Sequence, residues 1–253
     1  MDAPDDLTPA GVSAHLVASV HVRRAVEGAV ADESLADLPA ALQRICRAAT
    51  ESLSLVGAVV QVITGHGEAV VLAGSDGVSR RLGGLAFEVG EGPCLDASSF
   101  RRPVLVSDLL GEGQARWPGY VAAVGDHGVR AVYALPLHVG AVRLGVLELY
   151  GARAHRLSAV ETSRALAFAQ AATHALVDAP SGSSQELLGD RAVATESRIE
   201  IHQAQGMVTV DLDVDLAEAL ALMRAHAFGQ DLTLLEVARQ VLAGARLHIT
   251  GDA

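Results

Sequence analysis

The sequence contains no lysine and no asparagine: all 19 of its cationic side chains are arginine, set against 30 carboxylates, for a formal net charge of -11. Each absence excludes a chemistry. Without lysine there is no Schiff-base nucleophile and no P-loop, and without asparagine there is no N-glycosylation acceptor. The acidic balance argues against a grip on a phosphate backbone driven by clustered positive charge. Aromatic residues make up only 3% of the chain, too few for a platform that stacks successive bases, so the cores are left to Ala, Val and Leu. Two cysteines, Cys46 and Cys94, cannot build a disulfide framework and read as thiols of a reducing compartment. No uninterrupted apolar run reaches the roughly 18 residues of a membrane span. The start of the chain carries Asp2, Asp5 and Asp6 where a secretory signal would be basic. The expectation is a cytoplasmic protein that does not enter a membrane.

Catalytic and metal signatures are missing as well. The ten histidines form no HExxH pair and no Cys/His cluster at ligand spacing, so no metal is expected. Asp211, Asp213 and Asp215 imitate the opening of an EF-hand loop, but the glycine and glutamate positions of that loop are Leu216 and Leu222. They read as an acidic turn ending in a helix N-cap. There is no GxSxG elbow, GxGxxG fingerprint or Walker loop. Cys94 has no sequence cue for a partner base and reads as a packed thiol, so no enzyme is expected.

What is present falls into two parts. Residues 10–30 carry apolar side chains at mixed helical spacing, a candidate peripheral or dimerising helix within an N-terminal tail, residues 1–33. Leu38, Leu42, Ile45 and Ala49 then mark one face of a helix. Short β-branched runs follow at Ala58–Ile63, Ala69–Ala73, Val104–Ser107, Val132–Leu137 and Val146–Tyr150, several apolar enough to be buried on both faces. The Gly-rich connection from 74 to 103 is too long for a plain loop and is expected to hold a functional segment. Ser158 and Glu161 form a capping box for a helix through Leu166, Ala169, Thr173 and Leu176. Residues 179–190, opening Ala-Pro-Ser-Gly-Ser-Ser, have a linker's composition. Beyond them, Ile201, Ala204 and Val208 mark one helix, Leu216, Leu220, Met223 and Ala227 a second opened by Asp215, and Leu234, Val237, Ala238, Val241, Leu242 and Ala245 a third opened by Thr233 and Glu236. Three such stripes make a small bundle.

Two sets of segments carry family resemblances. Glu88-Val89-Gly90-Glu91-Gly92-Pro93-Cys94, Arg101 to Leu109, Arg116-Trp117-Pro118, Gly128 to Val132, Leu135-Pro136-Leu137 and Gly145 to Tyr150 together resemble a GAF domain, here residues 34–178. The resemblance implies an antiparallel sheet of five or six strands with helices on one face, a small-molecule pocket on the other, and a homodimer paired through terminal helices. Ile201 to Val208, Ala219 to Arg224 and Leu234 to Val241 resemble an ANTAR domain, an RNA-binding antitermination module, here residues 191–253. The expected fold class is therefore α+β, a GAF-like sheet with flanking helices followed by an all-α three-helix bundle. No cofactor is assigned: a chain without Asn and Lys cannot hold the cyclic-nucleotide motif built on them, and Leu95 stands where bilin attachment has a histidine after its cysteine.

The resemblances imply a ligand-responsive regulator that binds hairpin loops in leader transcripts and controls transcription termination. Pocket candidates are Phe87, Trp117, Tyr120, Tyr133 and Glu148. RNA-contact candidates are Arg198, His202, Gln205, Arg224, His226 and Arg239. Residues 191–253 carry five Arg against nine acidic groups. That balance keeps open an alternative, a protein-interaction module that has the helical fold and has lost RNA binding. A catalytic sensor using Cys94 is a second alternative.

Overall fold

The computed structural model describes residues 38–63, 69–179 and 196–247. The candidate helix at 10–30, and all but the first residue of the expected linker, lie outside the described residues.

Helix α1 (Leu38–Leu53) buries Leu38, Leu42, Ile45 and Ala49, the face its spacing predicts. Strands β1 (Gly57–Ile63) and β2 (Ala69–Gly74) follow, then helices α2 (Gly77–Val89) and α3 (Pro93–Phe100) and strand β3 (Val104–Val106). A π-helical turn at Leu109–Gly113 leads into α4 (Pro118–Gly125), after which β4 (Ala131–Val139) and β5 (Val142–Gly151) form the longest hairpin. Helix α5 (Ala159–Asp178) closes this part, opened by the Ser158/Glu161 capping box. The sheet is antiparallel throughout, in the order β2-β1-β5-β4-β3.

The two faces of that sheet have different cores, and side-chain alternation sorts them. Ala58, Val60, Tyr133, Leu135, Leu147 and Leu149 face α1 and α5, whose contribution includes Ile45, Ala49, Phe168 and Ala172. Val59, Val132, Ala134, Val146 and Tyr150 face the opposite way, under α2, α3 and α4. Helices thus cover both faces, not one as the resemblance implied. The Gly-rich connection supplies two of the three helices on the second face, which is why it was too long for a loop. One phase also differs: α5 buries Ala165, Phe168, Ala169 and Ala172, whereas Leu166 of the expected stripe is 44% exposed.

Three further helices follow: α6 (Glu196–Leu212), α7 (Leu216–Gln230) and α8 (Leu234–Leu242). Their common core holds Ile201, Ala204, Val208, Leu220, Met223, Ala227, Leu234, Val237, Ala238 and Val241, most of the stripes read from the sequence; Leu216, at the first position of α7, is 51% exposed, and Ala245 is exposed beyond the end of α8. Asp215 caps α7 by accepting from the Glu218 N–H at 2.8 Å, and Thr233 with Glu236 forms the capping box of α8. Among the described residues, no helix is long and apolar enough to cross a membrane.

Candidate functional site

Beneath α2, α3 and α4 the sheet presents polar groups in an otherwise apolar layer. Glu148 on β5 is fully buried, and so is Gln61 on β1. They are diagonal neighbours on one face, since Glu148 pairs with Val59 and Gln61 with Val146. Gln61 Nε2 donates to Glu148 Oε2 at 3.1 Å. Tyr150, two residues along β5 and therefore on the same face, donates its hydroxyl to the same oxygen at 2.8 Å. Tyr120 reaches in from α4 and donates to Oε1 at 3.4 Å. Cys94, on the first turn of α3, is buried beside them.

The helices over this cluster are tied down by the motif that carries the resemblance. The Glu91 carboxylate accepts from the backbone N–H of Gly119 at 2.6 Å and of Tyr120 at 3.3 Å, satisfying the open amides at the start of α4. Gly92 has φ +149°, and a side chain there would press on the Tyr120 ring and the Ala86 methyl, so only glycine suits the position. Pro93 occupies the first turn of α3. Arg116 pairs with Asp96 of α3 at 2.8 Å and stacks on the Trp117 ring 4.0 Å from its centre.

No cation answers the buried carboxylate through any of these bonds. Burial outweighs the hydrogen bonds from Tyr150, Tyr120 and Gln61 and pushes Glu148 from 4.5 up to about 7. Burial, reinforced by the Glu148 charge, likewise pushes the Cys94 thiol and the Tyr120 and Tyr150 phenols well up. Gln61, Tyr120 and Tyr150 each donate to the carboxylate, while Gln61 Oε1 is buried without a hydrogen-bond partner. The unfilled capacity of this site is therefore for a donor. Among the described residues no group of three His, Cys, Asp or Glu is placed to hold a metal ion.

Of the five pocket candidates, the structure joins Tyr120 and Glu148 directly and sets Trp117 in the same apolar cluster. Tyr133 is a correction: it faces α1 and α5 on the other side of the sheet, and its hydroxyl donates to the His155 carbonyl at 2.6 Å. Its register decides this, because Tyr133 lies opposite Leu149, one residue out of phase with Glu148. Phe87 is a second correction: it is 2% exposed and belongs to the core of the C-terminal bundle. Gln61 and Tyr150 were missed. Both were findable, Gln61 as the polar residue inside an apolar strand and Tyr150 by counting two from Glu148.

The RNA-contact candidates do not form one open cationic face. Arg198 is in α6, but its side chain lies outside the described residues. His202 is exposed and Gln205 is 5% exposed. Gln205 donates to the Leu216 carbonyl at 2.6 Å and partners His202 Nδ1 at 3.3 Å, so it ties α6 to α7 rather than facing solvent, a correction to its expected role. Arg239 is exposed and pairs with Glu200 through both oxygens, at 2.7 and 3.3 Å. His226 is half-buried. Arg224 is bound to the end of α2, where Nε donates to the Phe87 carbonyl at 3.0 Å and Nη2 donates to the same oxygen.

A GAF domain profile matches residues 36–177. Among solved structures, the GAF domain of a phosphoenolpyruvate-protein phosphotransferase from Coxiella burnetii is 20% identical with a TM-score of 0.50, covering 64% of this chain and 96% of its own. The GAF domain of the Acinetobacter phosphoenolpyruvate-protein phosphotransferase is 10% identical with a TM-score of 0.49, covering 64% and 92%. Free methionine-R-sulfoxide reductase from Neisseria meningitidis, in complex with its substrate, is 18% identical with a TM-score of 0.49, covering 70% and 93%. At these identities the first similarity speaks for the fold alone. No curated protein matches the chain.

Proposed function

The chain belongs to the GAF-domain family through residues 36–177, and from that membership we propose that it is a small-molecule-responsive regulator. Its sensing site is the Glu148 cluster, and its output is the C-terminal bundle acting on hairpin RNA in the manner of the ANTAR domain it resembles. The observation that carries the sensing half is the buried carboxylate with no cation beside the orphan acceptor of Gln61. A ligand presenting N–H donors, above all a small organic cation, would satisfy both groups at once. Binding would shift the protein between arrangements by no more than the ligand's differential affinity for them. Dimerisation through terminal helices would present two bundles to paired hairpins, so that two weak sites gain by effective concentration.

Catalysis by Cys94 is not part of this reading. The thiolate is the nucleophilic form, and full burial beside a carboxylate disfavours it.

The protein-interaction reading stays in view because of one specific observation: Gln205 is buried, Arg239 is paired with Glu200 and Arg224 is held at the Phe87 carbonyl, so three of the expected RNA contacts are engaged within the protein. A gel-shift titration against looped RNA at low salt separates the two. The RNA reading predicts binding that weakens with salt and is lost in an Arg198, Arg224 and Arg239 triple Ala variant. Absence of binding at low salt favours the partner protein. Crosslinking to cellular RNA followed by sequencing would name the target, expected to be tandem hairpins ahead of terminators.

A further inference from the structure

Helix α2 ends without a cation of its own. Its last turn holds no basic residue, and Gly90 closes it in the left-handed conformation at φ +79°, its N–H donating to the Ala86 carbonyl. The next carbonyl, that of Phe87, belongs to the group a helix end leaves without intrahelical partners, at the negative end of the helix dipole. Arg224 fills that place from 137 residues away, its Nε and Nη2 both donating to the Phe87 oxygen. The same guanidinium lies 5.2 Å from the centre of the Phe87 ring. Its stem crosses Gly90 so closely that a side chain at Gly90 would meet Arg224 Cδ at 3.0 Å. Phe87 itself is inserted among the apolar residues of the bundle, in the cluster with Ala204, Met223 and Ala227.

The neighbouring residue faces elsewhere. Ala86 belongs to the core over the sensing site, with Leu82 from the same helix and Tyr120 and Cys94 from the helices beside it. Two consecutive residues of α2 therefore enter two different cores.

We propose that the end of α2 is a latch that holds the bundle on the sensor, with Phe87 as the inserted key and Arg224 as the clasp. Because α2 also roofs the Glu148 cluster, a displacement of this helix by ligand is felt at the latch. A consequence rests on the RNA reading given above: in the latched state Arg224 is engaged by the sensor, so release of the bundle is what would offer it to RNA.

The latch is tested in the full chain by hydroxyl-radical footprinting, with a control inside the same helix pair. Phe228 of α7 is 82% exposed and Phe87 is 2% exposed. In the wild type Phe228 is oxidised readily and Phe87 is protected by about tenfold or more, as expected of a locally closed contact. Arg224→Met keeps the apolar stem and removes the fork, and is expected to bring Phe87 oxidation close to that of Phe228 while far-UV circular dichroism stays unchanged. Oxidation of wild-type Phe87 at the rate of Phe228 would overturn the latch without any variant having to fold. Equal protection of Phe87 in wild type and Arg224→Met would overturn Arg224 as its clasp. Phe87→Ala, which keeps Arg224, addresses the consequence alone: tighter binding of looped RNA than wild type sustains it, and unchanged binding removes the RNA step while the footprint still decides the latch.

Discussion

A buried carboxylate held near neutrality makes stability depend on pH in a definite direction. Glu148 is raised in the folded protein from 4.5 to about 7, so between these values the native state binds the proton and the unfolded chain does not. Its contribution is full below pH 4.5 and is lost as the pH climbs through 7, a cost of about 3 kcal/mol on the alkaline side. Chemical denaturation of Glu148→Gln is expected to remove this downward slope between pH 5 and 8 and to leave the variant the more stable one at pH 8. The new amide can also donate to the orphan Gln61 oxygen. A variant with the wild-type slope would show that another group titrates. Cys94 and Cys46 are both buried, and burial raises the Cys46 thiol to about 12. Both are expected to resist alkylation in native buffer and to react on unfolding, as mass spectrometry of intact protein would record. At this scale the sequence was informative where chemistry was conspicuous, as at Glu148 and Tyr120. It misled where geometry decided: a one-residue phase puts Tyr133 on the far face, and nothing local to Phe87 says that its ring leaves the domain that carries it.

The elements follow local rules closely enough for single caps to matter. Ser158→Ala and Thr233→Ala each remove the oxygen that accepts from the N3 amide, at 3.3 and 3.2 Å, and each is expected to lower stability by about 1 kcal/mol in thermal or urea unfolding. Gly145 is a harder constraint, because a Cβ there would collide with the backbone carbonyl of Gln61. Gly145→Ala is expected to cost about 1–3 kcal/mol by overpacking, and to perturb the fluorescence of Trp117 if the strain reaches the Glu148 cluster. No change in either reading would mean that β1 yields freely. The five strands were legible because β-branched runs between glycines have few other uses. Helices α2 and α3 were not. Gly77, Gly83 and Gly84 give α2 poor intrinsic propensity, and it is helical because Gly83 lets it sit against Val59 and Val71 of the sheet. Such a helix is set by its tertiary partner, and sequence periodicity alone cannot declare it.

For the whole molecule the arrangement is a chain of contacts from a charge to a domain. Glu148 is bonded to Tyr120, Tyr120 packs under the Gly92 turn against Ala86, and Ala86 precedes the key and the carbonyl that the bundle grips. The sheet and the bundle were visible in the sequence as separate patterns, the sheet by its β-branched runs between glycines and the bundle by its helical stripes. Their contact was not, because Arg224 and Phe87 are 137 residues apart and belong to different patterns. The most direct measurement of the coupling is hydrogen exchange across the full chain at one fixed pH, comparing wild type with Glu148→Gln. Altered protection is expected for amides at 84–90, the last turn of α2 and its cap, and at 219–227 in α7, although the substituted residue is in neither. Altered exchange confined to the strands and α4, with α7 unmoved, would contradict the account.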